Sequence, residues 1–274
     1  PADMHIMDVP TPVAIPFGFF PNKKGRSSGI LFPQYGESQQ LGFFLKNGGY
    51  YLGLNDHFDL ALTGDIYSLG SWRTNAFSNY NWKYRFNGNV SVNYSKTRIS
   101  RKEFPDYSLE ESFFIRWVHT QDAKARPGTS FSANVNAGSS TFYQYNLSSA
   151  NNYLTNTFNS SIAWSKVWTG RPFNLSASLS HTQNSQTRDI SLSVPNIAFN
   201  VARRTPFKRA SRVGAERWYE KIGIGLTSSF LNSITTKDTL LFKPGSEKNF
   251  RYGISHAVPV NTSFTIGKYF TVNP

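Results

Sequence analysis

The residues of this sequence that can do chemistry are few, and the most concentrated of them are cationic. Lys23, Lys24 and Arg26 fall in one short cluster; Arg98, Arg101 and Lys102 form a second; Arg203, Arg204, Lys208, Arg209 and Arg212 form a third. Ammonium and guanidinium groups at this density suit phosphate, and arginine adds bidentate geometry. The net charge of +13 points the same way, to a polyanion such as nucleic acid, phospholipid headgroups or a phosphorylated glycolipid. For any single Lys or Arg the plainer reading is loop charge solvated by counterions. Groups suited to bond-making are dispersed. His5, His57, His119, His181 and His256 show no metal-ligand spacing, and the chain has no cysteine. A nucleophilic serine needs a base held by a third polar group; His119 or His181 on a strand could serve, but the plainer reading is a wall or girdle histidine. We expect no enzyme, no metal and no cofactor.

The elements that must position these residues read as strands. Charged residues make up 16% of the chain and aromatics also 16%, a low and a high share respectively. Phe58, Leu60, Leu62 and Ile66 alternate with Asp59, Ala61, Thr63 and Asp65. Trp72, Ala76, Tyr80 and Trp82 share one parity of the next segment, and Val90, Val92 and Tyr94 one parity of the one after. The pattern repeats through Phe113–Trp117, Phe131–Ala137, Phe158–Trp164, Phe173–Leu179, Ile190–Val194, Ile222–Leu226, Phe250–Ile254 and Phe264–Ile266. With a first strand at Gly42–Asn55 this predicts about twelve strands and no helix longer than a turn. Around Pro195 the apolar parity flips, from Ile190, Leu192 and Val194 to Ile197, Phe199 and Val201, which predicts a bulge or break. The polar face is mostly uncharged Ser, Asn, Thr and Gly, as in a channel wall, whereas a soluble sandwich would carry more Lys and Glu. Trp72, Tyr80, Trp82, Trp117, Trp164, Trp168, Trp218 and Tyr219 gather near strand ends, as aromatic girdles do. No apolar run approaches ~18 residues, so no spanning helix is expected. The fold expected is all-β: a partial antiparallel transmembrane β-barrel.

Ahead of it, Pro10–Ser38 is different. Pro10, Pro12, Pro16, Pro21 and Pro33 punctuate short apolar pieces and remove ladder donors, leaving edge strand or irregular backbone. Ser28–Phe32 reads as one more short strand, ended by Pro33 and Gly36. The connector reads as a junction between a domain mostly outside this chain and a barrel that begins near Leu41.

The connector PFGFFPNKKGRSSGILFPQYGES, followed by GFFL…YYLGLN, a very short turn and FDLALTGDIYS, resembles the LptD family of outer-membrane lipopolysaccharide translocons. That family's pattern is a proline-rich exit from a periplasmic jellyroll, basic residues, then Ser-Gly-aliphatic-aliphatic and proline. Lys23, Lys24, Arg26, Ser28, Gly29, Ile30, Leu31 and Pro33 hold those places. The resemblance implies residues 1–38 as the end of the jellyroll with the junction, and 39–274 as the first part of the barrel. It implies a cell outer membrane of a Gram-negative bacterium, and insertion of lipopolysaccharide into the outer leaflet through a lateral gate. The partners implied are lipopolysaccharide, outer-membrane lipids, an LptE-like lipoprotein plug and an LptA-like periplasmic bridge, with no nucleic acid. Val13, Ile15, Phe17, Phe19, Phe20, Lys23, Lys24 and Arg26 are then the expected lipid path. The family often loosens its first strands with proline; here Gly48 and Gly49 are expected to loosen the gate. Arg203, Arg204, Lys208, Arg209 and Arg212 are expected to bind headgroups, on the outer side if the strand from Gly42 runs outward. A barrel of about 26 strands needs well over roughly 300 residues, so the chain reads as a fragment lacking the closing strands. Two other readings stay open: a general porin or solute channel, and a soluble β-rich glycan-binding module.

Overall fold

In the computed structural model the described residues are 2–6, 9–15, 26–100, 103–105, 107–145, 156–209, 217–241, 243–266 and 270–272. β1 (Ala2–Ile6) and β2 (Val9–Ile15) pair as a separate antiparallel hairpin. A fourteen-stranded antiparallel sheet follows. It begins with β3 (Gly29–Leu31) and β4 (Gln34–Ser38), which lie end to end against β5 (Gly42–Asn55). It continues as a meander through β6 (Phe58–Tyr67), β7 (Trp72–Trp82), β8 (Phe86–Ile99), β9 (Ser108–Gln121) and β10 (Thr129–Gly138). A four-residue turn of helix, α1 (Phe142–Tyr145), precedes β11 (Thr157–Val167), β12 (Phe173–Asn184), β13 (Asp189–Arg204), β14 (Gly223–Lys237) and β15 (Arg251–Ala257). β16 (Val260–Asn261) adds to β14, while β17 (Phe264–Ile266) pairs with β18 (Phe270–Val272) apart from the sheet. Among the described residues the two outer edges do not meet, so the sheet is open.

The alternation read from sequence is why these segments are strands. Side chains of period two leave one mostly apolar and one mostly polar face, and the hairpin registers carry each face across from strand to strand. The β7–β8 ladder runs without a shift from Trp72↔Lys96 to Trp82↔Phe86, and β8–β9 from Phe86↔Gln121 to Ile99↔Ser108. The polar face is laced by side chains: Ser91 Oγ donates to Asn75 Oδ1 at 3.3 Å, and Asn93 Nδ2 to Ser91 Oγ at 3.0 Å. Similar pairs join Ser130 to Ser165, Asn200 to Asn174, and Ser229 to Ser255.

The apolar face is left largely open. Ile30, Ile66, Leu62 and Phe113 are 67%, 60%, 46% and 46% exposed, although they sit on the face that alternation marks as apolar. The buried apolar residues among those described are few: Phe114, Ala133, Phe142, Phe158, Ile190 and Ile234. An ordinary water-soluble sheet covers such a face.

Two details depart from the sequence expectation, and a third meets it. Residues 29–38, expected to belong with the junction, are hydrogen-bonded to β5 in one constant register, interrupted only at Phe32–Pro33. Pro33 and Gly36 look like terminators locally, yet an edge strand tolerates both. The segments either side of Pro195 are one strand, β13, carrying a bulge: Ser193↔Ser233 and Ile197↔Phe230 leave an extra residue on β13. There the parity flip read from sequence has its physical cause. Finally, Phe264–Ile266, expected as the last strand of the array, pairs outside the large sheet.

Candidate functional site

Antiparallel alternation sorts the connections to two ends. The end where the chain joins β3, here the proximal end, carries the turns at 56–57, 83–85, 122–128 and 168–172 and the long connection 205–222. The distal end carries 39–41, 68–71, 100–107, 139–156, 185–188 and 238–250. Arg26 and the third basic cluster therefore share the proximal end. Counting strands from Gly42 overlooks β3–β4, and one strand more reverses which end is reached first.

At the proximal end Arg26 is anchored. Its Nη1 lies 2.7 Å from Asp59 Oδ2, and Asp59 is only 5% exposed. The same carboxylate accepts from Tyr51 Oη at 3.2 Å and from the Asn79 backbone N–H at 2.8 Å and its Nδ2 at 3.3 Å. Ser28 Oγ accepts from the Gly53 N–H at 2.9 Å. The cluster fixes the path by which the chain enters the sheet. Val13 and Ile15 lie on β2; Phe17, Phe19, Phe20, Lys23 and Lys24, and Arg101 and Lys102 of the second cluster, lie outside the described residues.

The second cluster of interactions surrounds the break at Pro33. Leu31↔Gly49 and Gln34↔Lys46 share one register, so Phe32 and Pro33 stand opposite Gly48 and Asn47. Proline offers no N–H to a ladder. On its other side β5 bulges at the same place: Leu45↔Ile66 and Gly48↔Gly64 set two residues of β5 against Asp65 alone. Asn47 adopts φ 58°, and its N–H donates to Asp65 Oδ1 at 2.8 Å. Asp65 Oδ2 pairs with Arg73 Nη2 at 3.0 Å, with Asp65 buried. Gly48 and Gly49 thus lie on a strand paired on both sides. A Cβ at Gly49 would run into the Leu62 carbonyl oxygen, and one at Gly48 would lie 3.0 Å from Pro33 Cβ. These glycines permit close approach. Sequence reading missed Asp59 and Asp65; their signal was that they are acids in a wall otherwise nearly uncharged.

The third basic cluster is partly self-satisfied. Arg209 Nε lies 2.9 Å from Glu220 Oε1, and Glu220 Oε2 accepts from the Arg217 N–H at 3.1 Å. Arg209 Nη2 and Arg217 Nη1 both donate to Tyr219 Oη, at 2.9 and 3.2 Å. The Arg209 hydrogen bond, with Arg217 adding to it, holds the Tyr219 phenol below the ordinary tyrosine range. Arg203 Nη2 donates to the carbonyls of Lys221 and Asn261. Arg204 stands in register with Ile224, Lys208 is also engaged, and Arg212 lies outside the described residues.

Aromatic rings gather at the two ends of the sheet. Proximally, His57–Trp82, Trp82–Phe86, Phe86–His119 and His119–Phe131 follow one another at centroid distances of 5.4, 5.0, 5.5 and 5.1 Å. Trp117 Nε1 donates to Tyr80 Oη at 2.8 Å, which leaves that hydroxyl to donate to His119 Nδ1, also at 2.8 Å. Distally, Trp72 packs on Tyr94 at 5.6 Å. From Trp72 to Trp82, one strand spans about 33 Å. His181 Nδ1 lies 3.2 Å from Ser160 Oγ, but that hydroxyl already donates to the Asn136 carbonyl at 2.9 Å. Among the described residues no cluster of His, Cys, Asp or Glu could hold a metal.

The residues build an open, all-β antiparallel meander with a laced polar face, a largely uncovered apolar face and aromatic residues near both ends. The family model described as LptD protein matches residues 1–274, and the chain belongs to that family. Membership supports a role in lipopolysaccharide-translocon assembly at the outer membrane, in a family of non-catalytic transport components. It also implies that family's partners, LptE, LptA and lipopolysaccharide. No curated protein matches the chain.

Proposed function

We propose that the fourteen-stranded sheet is a segment of the barrel wall of a lipopolysaccharide translocon, with its apolar face against acyl chains and its polar face on the lumen. The uncovered apolar face between aromatic rows supports this reading, because such a face costs least in hydrocarbon. The proximal end is then periplasmic. β1–β2 belongs to the jellyroll tail, and lipopolysaccharide passes Val13, Ile15, Phe17, Phe19, Phe20, Lys23 and Lys24 on its way to the wall. Arg26 serves that path indirectly, through Asp59, by fixing the junction. The basic residues Arg203, Arg204, Lys208, Arg209 and Arg212 then face the periplasmic side, against the delivered lipid or inner-leaflet phosphates. An LptE-like plug fills the lumen and an LptA-like bridge feeds the jellyroll.

The lateral gate lies at the β3–β4 edge. The observation that carries this is the break at Phe32–Pro33, set opposite the β5 bulge at Asn47. Two interruptions back to back leave this seam the least paired part of its edge. Phe32, 79% exposed, projects there. A photoreactive residue at position 32 of the full-length protein tests the reading against the porin alternative. The expected result is a lipopolysaccharide adduct that forms only while lipid is delivered from the periplasmic bridge. The same probe at Val92, on the apolar face away from the edge, should give no delivery-dependent adduct. Equal behaviour at both positions, or no adduct at either, removes the edge assignment.

A further inference from the structure

The proximal aromatic row continues past Phe131 to Trp164, its register partner, and to Phe173 and Phe199, stacked at 6.2 Å on the apolar face. Cations follow the row at once on its proximal side. Lys83 and Arg85 lie in the turn after β7, Lys124 and Arg126 in the turn after β9, Arg171 in the turn after β11. Successive turns at one end are two strands apart, about 10 Å. Lys166 is paired with Leu175 and Arg204 with Ile224, so these two stand on the apolar face itself. Lys166 Nζ lies 5.0 Å from the centroid of the Trp168 ring. Among the described residues none of these cations makes an ion pair.

The acids of this rim are already engaged: Asp122 Oδ1 accepts from the Lys124 N–H at 2.8 Å, and Glu220 holds Arg209. The long connection after β13 adds Lys208, Arg209, Arg212, Arg217 and Lys221 against Glu216 and Glu220. Tyr84, Phe207 and Trp218 stand among the cations, 62%, 52% and 67% exposed. The distal end is balanced instead. Its connections 39–41, 68–71 and 139–156 carry no charged residue, and 185–188 carries Arg188 alone. In 100–107 Glu103 and Asp106 offset Arg101 and Lys102, and in 238–250 Asp238 and Glu247 offset Lys243 and Lys248. Lys96, opposite Trp72 on the apolar face, has Glu111 at 2.7 Å. The excess positive charge is therefore proximal.

Unpaired cations interleaved with exposed rings suit an anionic lipid surface. Aromatic rings settle at the boundary between hydrocarbon and water, and each Lys or Arg near anionic headgroups contributes about 1 kcal/mol. An acidic soluble protein would meet the turns but not Lys166 and Arg204, which share their face with Leu175, Phe199 and Ile224. Delivered lipopolysaccharide is phosphorylated too, but its exit is assigned to the β3–β4 edge, seven strands along the sheet from β11. We propose that the proximal rim, from the turn after β7 to the connection after β13, binds anionic phospholipids of the periplasmic leaflet. They are of the phosphatidylglycerol type, with phosphates among Lys166, Arg171 and Arg204 and chains along the apolar face. The proposal rests on the reading that this face meets lipid and that the proximal end is periplasmic. The bound lipids are distinct from the transported one and set the height at which the wall stands in the membrane.

The test offers the full-length protein in detergent equal amounts of phosphatidylglycerol and phosphatidylethanolamine with identical acyl chains, and native mass spectrometry reads what is retained. The wild type should hold at least about fivefold more phosphatidylglycerol, and added salt should erode that preference by screening exposed cations. The combined Lys166→Gln, Arg171→Gln and Arg204→Gln variant should fall to within about twofold. Arg188→Gln, Lys243→Gln and Lys248→Gln together make the same charge change distally and should keep the wild-type preference. Equal retention of the two lipids by the wild type, or equal loss in the two variants, would overturn the proposal. A photoreactive residue at Thr169, exposed in the turn after β11, identifies the occupant in intact cells. A phospholipid adduct is expected whether or not lipopolysaccharide is being delivered; a lipopolysaccharide or protein adduct in its place would overturn the assignment. Any of these failures beside an intact delivery-dependent adduct at position 32 removes the rim site alone; loss of that adduct as well removes the wall reading beneath it.

Discussion

The β3–β6 region and the β7–β9 region are built from the same alternating pattern, yet they solve hydrogen bonding in opposite ways. Between β7, β8 and β9 the ladders are continuous, neutral Ser and Asn side chains lace the polar face, and the Lys96–Glu111 ion pair between β8 and β9 is largely exposed. Between β3–β4, β5 and β6 the ladder is broken by Pro33, bulged at Asn47 and bulged again at Leu54 between the Gly53↔Asp59 and Asn55↔Phe58 pairs. Buried carboxylates appear where the ladder fails: Asp65 takes the N–H that the bulge turns away, and Asp59 holds the incoming chain through Arg26. Regular pairing makes a wall cheaply; irregular pairing needs charge to hold it, and what is held by a few side chains can open.

The largest expected effect is therefore at Asp59. Asp59→Ala removes the acceptor shared by Arg26, Tyr51 and Asn79 and leaves donors unmatched beside a buried site. Loss of one partner of a buried pair costs about 3–5 kcal/mol; with Arg26 itself about a third exposed, about 3 kcal/mol is expected. Ser91→Ala, in the neutral ladder, should cost about 0.5–1 kcal/mol. Urea titration of the folded full-length protein in detergent compares the two. If both variants shift equally, the contrast between the regions fails.

Next comes Gly49→Val. A side chain at Gly49 meets the Leu62 backbone, so β5 and β6 must separate, at about 2–3 kcal/mol. At Gly29, on the edge, a Cβ meets nothing within 4 Å, and Gly29→Val should stay within about 0.5 kcal/mol. The same titration reads both. A harmless Gly49→Val would mean that β5 and β6 can give way there after all. Smaller again is Tyr80→Phe in the regular region. It leaves Trp117 Nε1 without an acceptor and His119 Nδ1 without a donor. About 1 kcal/mol is expected, together with a shift in tryptophan emission as the indole turns to other partners. An unaltered spectrum would show that the proximal aromatic row is held by packing alone.

How much of this could be read from residues follows from range. Alternation is local, so β6, β7 and β8 were legible, and so was the bulge near Pro195, because a parity flip is itself written in sequence. Two residues that look like terminators, Pro33 and Gly36, hid β3–β4; what makes the segment a strand is β5, to which it is paired from Ser38↔Gly42 out to Gly29↔Tyr51. The bond between Arg26 and Asp59 spans 33 residues, and the one between Ser140 and Asp238 spans 98. No spacing announces either. Gly48 and Gly49 were legible as special positions, but freedom and close approach leave the same mark on a sequence, and only the neighbouring Leu62 backbone separates the two.

The finest probe of the comparison is Pro33→Ala, which repairs one half of the double interruption. The register on both sides of Pro33 is already the same, so an alanine there needs no slip to let residues 29–38 run as one strand. It returns a backbone donor and relieves the contact between Pro33 and Gly48. Only half of the defect is removed, because the Asn47 N–H stays committed to Asp65. A gain of about 1 kcal/mol is therefore the ceiling, seen as about fivefold slower hydrogen exchange across Gly29–Leu31 and Gln34–Ser38. Exchange in β8 should not change, since its ladder is already complete. If the seam is where lipid leaves, the same variant should slow lipopolysaccharide export while making the protein more stable, a combination that damage to the fold cannot produce. Slower exchange with export untouched would keep the seam as a structural weakness and take the gate away from it.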